Sequence, residues 1–119
     1  EIKIFHPIIN YLSEHFDLSN AVTYEVWQQE NTRPLGWHHD KDEKLWESGE
    51  LLFPILTSIF YLDVNVTSGG NLFLEDDIVI EPKTNRLVLF GPDVEHFVQA
   101  YSGIRHSIII NPWDRFLAS

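Results

Sequence analysis

The segment GWHHDKDE places an imidazole and a carboxylate two residues apart, at His38 and Asp40. In an extended stretch residues i and i+2 project to the same side, so these two groups converge while His39 faces away. His-x-Asp is a metal-ligand spacing, and only His38 gives it with Asp40. Alone it is a weak signal, because a solvated loop produces the same letters. A second imidazole, His96, stands near the start of an apolar run, with Arg105 and Ser107 nine and eleven residues beyond it. A hairpin turning at Tyr101 and Ser102 would set His96 across from Arg105 or Ser107, giving an imidazole and a fixed cation one shared face. Two imidazoles and one carboxylate on one face of an octahedral ion leave its other positions open, and an Arg nearby can clamp a carboxylate through both oxygens. The chain has no Cys, so any metal must sit on His, Asp or Glu.

The remaining candidates read as ordinary. His6 and His15 fall on a helix, and His106 shares a strand face with Ile104 and Ile108. Asp42 and Glu43 form a solvated acidic run close enough to the metal motif to orient a substrate. Trp37 and Trp46 either line a substrate mouth or pack.

These groups need elements to hold them. HPIINYLSEHF puts Ile8, Ile9, Leu12 and Phe16 at helical spacing, which predicts one amphipathic helix over about 6–17, broken by 17–20. Short β-branched and aromatic runs then follow at 21–29, 55–64, 71–76, 77–81, 86–91, 95–100 and 105–111, separated by turn signals such as TSGGN and FGPD. Seven or eight strands so spaced predict a mainly β sandwich or jelly roll, with antiparallel hairpins over about 21–113. Gly69 and Gly70 suit a tight turn with positive φ. Around Ile109 both alternating sets are apolar, which predicts cover on both faces, with the helix backing one sheet.

Composition bounds the rest. At 119 residues, 44% hydrophobic and 13% aromatic, the chain is one domain's worth, and no linker or repeat divides it. Lys and Arg total 8 against 18 Asp and Glu, a net charge of −10, which makes nucleic acid a poor partner and favours a basic or neutral substrate. No apolar stretch is long enough to span a bilayer, so no membrane segment is expected. The absence of Cys fits a reducing compartment, and the expected location is the cytoplasm. Glu1 opens the sequence and no Met occurs, the mark of a trimmed chain from which targeting signals can be missing.

Two His and one carboxylate form the facial set of non-haem Fe(II) oxygenases. From about Thr23 to Trp113 the chain resembles the 2-oxoglutarate and Fe(II)-dependent dioxygenases, specifically the prolyl 4-hydroxylase-like branch. The resemblance is carried by GWHHDKDE, by IFYLDVNVTSGGNLFL with its Tyr-Leu and Gly-Gly, and by NRLVLFGPDVEHFVQAYSGIRHSIIINPW with its distal His and Arg-x-Ser. It implies a double-stranded β-helix with a supporting N-terminal helix, formed by a single oxygenase domain over 1–119. It implies Fe(II) held by His38, Asp40 and His96, and 2-oxoglutarate and O2 as co-reactants. Arg105 would bind the far carboxylate of 2-oxoglutarate, Tyr61 would hydrogen-bond it, and Ser107 would assist. A polar side chain from the strand before the metal motif, Tyr24 or Gln28, would reach the cosubstrate. The implied activity is hydroxylation of an unactivated C–H in a prolyl or other residue of a peptide, or in a free amino acid or other small molecule. Two competing readings are a cupin- or lectin-like jelly roll that binds metal without oxidation, and an inactive oxygenase fold used for interaction. Arg105 separates the first of these, since a pure binding module has no need of a cation beside its metal.

Overall fold

The computed structural model describes residues 5–30 and 35–117. The amphipathic opening forms α1 (Phe5–His15), whose buried stripe is Ile8 and Leu12. It ends earlier than the spacing predicts. Asp17 accepts a bond from Ser19 N (3.0 Å), a side-chain turn that leads the chain away. Phe16, expected on the apolar stripe, is consequently 42% exposed.

Eight strands follow, β1 (Thr23–Gln29), β2 (Leu35–His38), β3 (Thr57–Gly69), β4 (Leu72–Leu74), β5 (Ile78–Ile80), β6 (Leu87–Phe90), β7 (His96–Val98) and β8 (Tyr101–Trp113), with a short helix α2 (Glu43–Glu47) after β2. They build two four-stranded sheets in the orders β1-β8-β3-β6 and β2-β7-β4-β5. Every pairing is antiparallel, but only β4 and β5 are both consecutive and paired. The expected succession of hairpins is therefore replaced by a chain that alternates between two sheets, the jelly roll or double-stranded β-helix. At the β3–β4 corner Gly69 and Gly70 do take positive φ, and a Cβ at Gly69 would collide with the Ala100 carbonyl oxygen.

Alternation on β8 divides the core in two. Ile109 points between the sheets, where it packs with Ile59, Tyr61, Leu72, Leu74, Val88 and Val98. Ile108 and Ile110 point outward to Ile8, Leu12 and Leu56, so the helix does back the first sheet. Ile104, predicted to share that covered face, is exposed and joins neither cluster. Among the described residues no helix is long and apolar enough to cross a membrane.

Leu12 is fully buried at the centre of the helix-to-sheet cluster. Leu12→Ala is expected to lower stability by about 2–5 kcal/mol, through lost apolar burial plus the cavity left behind. Urea unfolding checks this, and a loss under about 1 kcal/mol would mean that α1 contributes little to the sheet it covers.

Candidate metal centre

β2 and β7 are neighbours, and their register sets His38 opposite His96 with ring centroids 4.3 Å apart. Asp40, just past the end of β2, turns its carboxylate onto this pair. Its Oδ1 lies 3.8 Å from His38 Nε2 and 3.4 Å from His96 Nε2. The three residues can offer one ligand atom each, all within 4.8 Å of one another. Each imidazole donates its Nδ1–H to a backbone carbonyl, His38 to Gly36 at 2.7 Å and His96 to Val94 at 3.1 Å. These bonds occupy both Nδ1 atoms and leave both Nε2 atoms turned to Asp40, the atoms a metal would use once they are unprotonated.

The local chain explains how Asp40 is held. Asp42, expected to be solvated, is 2% exposed: its carboxylate caps α2 by accepting from Leu45 N (3.1 Å), and its own N–H bonds Leu52 O (3.1 Å). The side chain of Glu43 lies outside the described residues. Short apolar spacing hid α2 in the sequence, although an Asp before Glu-Lys-Leu-Trp-Glu was an available cap signal.

Electrostatics favour the metal-binding protonation states. Burial alone would raise the Asp40 carboxyl, but the bond and charge of a protonated His96, then the Asn111 amide and the charge of a protonated His38, outweigh it and hold it below the ordinary carboxylate range. Burial lowers His38, against the opposing Gly36 bond and with help from His96, so its neutral form persists into mild acid.

Asp40 has a second set of partners that sequence reading missed. Asn111 Nδ2 donates to Asp40 Oδ2 at 2.8 Å and to Glu25 Oε1 at 3.4 Å, while Trp113 Nε1 donates to the same Glu25 oxygen at 3.2 Å. Asn111 and Trp113 are fully buried. The signal was alternation: counting by twos from Arg105 through Ser107 and Ile109 reaches both residues on one face of β8.

A second polar group sits elsewhere between the sheets. Arg105, 2% exposed, donates from Nε to Gly70 O (2.8 Å) and from an Nη to Tyr61 Oη (3.1 Å), with its guanidinium 5.0 Å from the Tyr61 ring centre. A side chain at Gly70 would press its Cβ to 3.3 Å from Arg105 Cδ, so glycine there makes room for the cation. Ser107 faces Tyr61 across β3 and β8 and is fully buried with its hydroxyl unpartnered. Burial lowers Arg105, opposed by Tyr61 and Tyr101, and raises Tyr61, opposed by Arg105. Arg105 has no carboxylate partner among the described residues.

Two other expectations are corrected, the His96–Arg105 pairing and the reach of Tyr24 or Gln28. His96 and Arg105 are not cross-strand partners: Tyr101 pairs at once with Gly69 of β3, so β8 joins the first sheet while β7 stays in the second. Neither Tyr24 nor Gln28 reaches the metal group. Both lie on the outer side of β1, Tyr24 packing toward α1 and Gln28 Oε1 lying 2.7 Å from His106 Nε2, whereas Gln29 lines a small cavity with His38, Asp40 and His96. His39 stands apart from the trio, its Nε2 3.8 Å from Glu95 and its ring against Phe53. His6 and His15 stay on α1, His15 stacked on Tyr11. Trp37 lines the large cavity beside the trio, and Trp46 lies under the Lys41 ammonium on α2.

The trio could hold a metal ion on three protein atoms, and the buried Arg105 has no carboxylate partner among the described residues, a donor set that fits Fe(II) with a dicarboxylate. No curated protein matches the chain. A family model described as the 2OG-Fe(II) oxygenase superfamily matches residues 11–113, a span that includes every residue of both polar groups. The chain therefore belongs to the 2OG-Fe(II) oxygenase superfamily, whose chemistry uses Fe(II), 2-oxoglutarate and O2.

Proposed function

We propose that the chain is a single-domain, prolyl 4-hydroxylase-like dioxygenase that hydroxylates an unactivated C–H of a prolyl or other peptide residue, or of a free amino acid. In this reading His38, Asp40 and His96 hold the iron, and Arg105 with Tyr61 and Ser107 holds the far carboxylate of 2-oxoglutarate. The observation that carries it is Arg105: a guanidinium at 2% exposure, without an anion among the described residues, is costly unless a ligand supplies one. A jelly roll that only bound metal would gain nothing from that cost.

When bound, iron, 2-oxoglutarate and O2 supply oxidative decarboxylation to succinate and CO2 together with oxygen insertion into a C–H bond. The protein positions. Asn111 holds Asp40 Oδ2, which leaves Oδ1 to face the imidazoles. The Gly36 and Val94 carbonyls keep the imidazoles in their ligating tautomer. Tyr61 and Gly70 fix the guanidinium plane, so that its remaining N–H groups present a fork suited to a carboxylate. The apolar cluster around Ile59 and Ile109 excludes water between the sheets.

Anaerobic titration of Fe(II)-loaded protein with 2-oxoglutarate is expected to give a weak visible charge-transfer band, and admission of air is expected to release succinate slowly without added substrate. A folded, metal-bound protein that showed neither would overturn the oxygenase reading.

A further inference from the structure

Glu25 is the residue at this site that the iron and cosubstrate chemistry leaves unused. It lies on β1 and lines a cavity of about 740 Å³ together with Trp27, Trp37, His38 and Asp40. Both bonds it accepts, from Trp113 and Asn111, go to Oε1, and no described group bonds Oε2. Burial raises its carboxyl above the ordinary range, against the bonds from Trp113 and Asn111, and the negative charges of Asp40 and Asp42 add to the rise. Lys41 lines the same cavity, but its ammonium lies 5.9 Å over the Trp46 ring.

The cofactors do not supply a counter-charge either. In the proposed site two positive charges on Fe(II) and one on Arg105 would be balanced by Asp40 and the two carboxylates of 2-oxoglutarate. Glu25 remains over. A half-buried carboxylate with a fixed orientation, an oxygen that no described group bonds and two carboxylates among the charges acting on it is destabilising until a cation joins it.

We propose that Glu25 is the recognition group for a protonated amine on the primary substrate, held through Oε2 in the cavity between β1 and the metal motif. This rests on the oxygenase reading for the identity of the site and extends it to the substrate class. Trp27 and Trp37, on the same cavity wall, suit the apolar carbons that carry such a nitrogen. The acidic balance of the whole chain favours approach of a cation over that of an anion.

Two sources can supply the amine, the α-nitrogen of a free amino acid or a lysine side chain in a peptide, and paired probes separate them. Protein loaded with Mn(II) and 2-oxoglutarate under argon is titrated calorimetrically with L-proline against N-acetyl-L-proline, and with N-acetyl-L-lysine amide against its norleucine counterpart. In at least one pair the member that carries an ammonium group is expected to bind about tenfold or more tightly than the one that lacks it, the worth of a charge-assisted bond. Glu25→Gln, whose amide oxygen can still accept from Trp113, is expected to erase that preference. Equal binding within both pairs, no binding by any probe, or a preference that survives Glu25→Gln would each overturn the assignment. Calorimetry reads this whether or not the protein oxidises anything. Succinate release by the Fe(II) form in air separately reports the oxygenase reading, so the two fail distinguishably.

Discussion

Replacing His96 or Asp40 with alanine is expected to weaken Mn(II) binding by more than about a hundredfold and to abolish 2-oxoglutarate-dependent succinate release. Loss of a group that merely orients a ligand typically costs about 10–100-fold in metal affinity, and loss of one of the three proposed ligands must exceed that. Asp40 also supplies the single negative charge facing both Nε2 atoms, so its removal takes the charge attraction along with the bond. Asn111→Ala provides the graded comparison. It frees Asp40 Oδ2 without touching the ligating atoms, and a loss of about 10–100-fold is expected, smaller than for either ligand. His96 is deeply buried, and its alanine variant leaves a cavity against Phe90, so thermal unfolding must accompany each titration. A folded His96→Ala protein with wild-type Mn(II) affinity and turnover would remove this trio from the reaction.

Much of the candidate site was legible because metal ligation needs particular atoms at particular spacings. His38 and Asp40 declared themselves by a two-residue interval, and His96, Arg105 and Ser107 by their order along the chain. The geometry joining them was not legible. A hairpin between the runs at 95–100 and 105–111 satisfies every local rule, yet Tyr101 is captured by Gly69 and the two runs enter opposite sheets. Strand partners in a jelly roll are chosen by burial across the whole chain, which a turn signal does not encode. The same limit explains Tyr24 and Gln28. Residue types suggested them, while the face of β1 that turns inward is decided by the contact of Tyr24 and Val26 with the helix-side cluster. Glu25 drew no notice because an isolated acidic residue in a strand is ordinary. Its meaning comes from Trp113 and Asn111, 88 and 86 residues away.

Arg105→Ala should leave Mn(II) affinity near wild type and weaken 2-oxoglutarate by roughly 30-fold or more, the cost of about 2–5 kcal/mol for truncating one side of a buried charge pair. The difficulty is that Arg105 also has structural partners. Its loss strips donors from Gly70 O and Tyr61 Oη and opens space beneath the β3–β4 corner, so a weaker affinity alone could reflect a loosened core. A change of cosubstrate removes that ambiguity. 2-Oxovalerate keeps the 2-oxo acid end and the chain length of 2-oxoglutarate but carries a methyl group where the far carboxylate stands. The native protein is expected to prefer 2-oxoglutarate over 2-oxovalerate by about the factor that Arg105→Ala loses, and the variant is expected to bind the two nearly alike. General loosening would weaken both ligands together and leave their ratio intact, which is the logic of a double-mutant cycle. Tyr61→Phe, which removes one hydroxyl and keeps the ring under the guanidinium, should reduce the preference only several-fold. If the preference survives in Arg105→Ala protein, the far carboxylate is held by another group, and the buried guanidinium serves the β3–β4 corner alone.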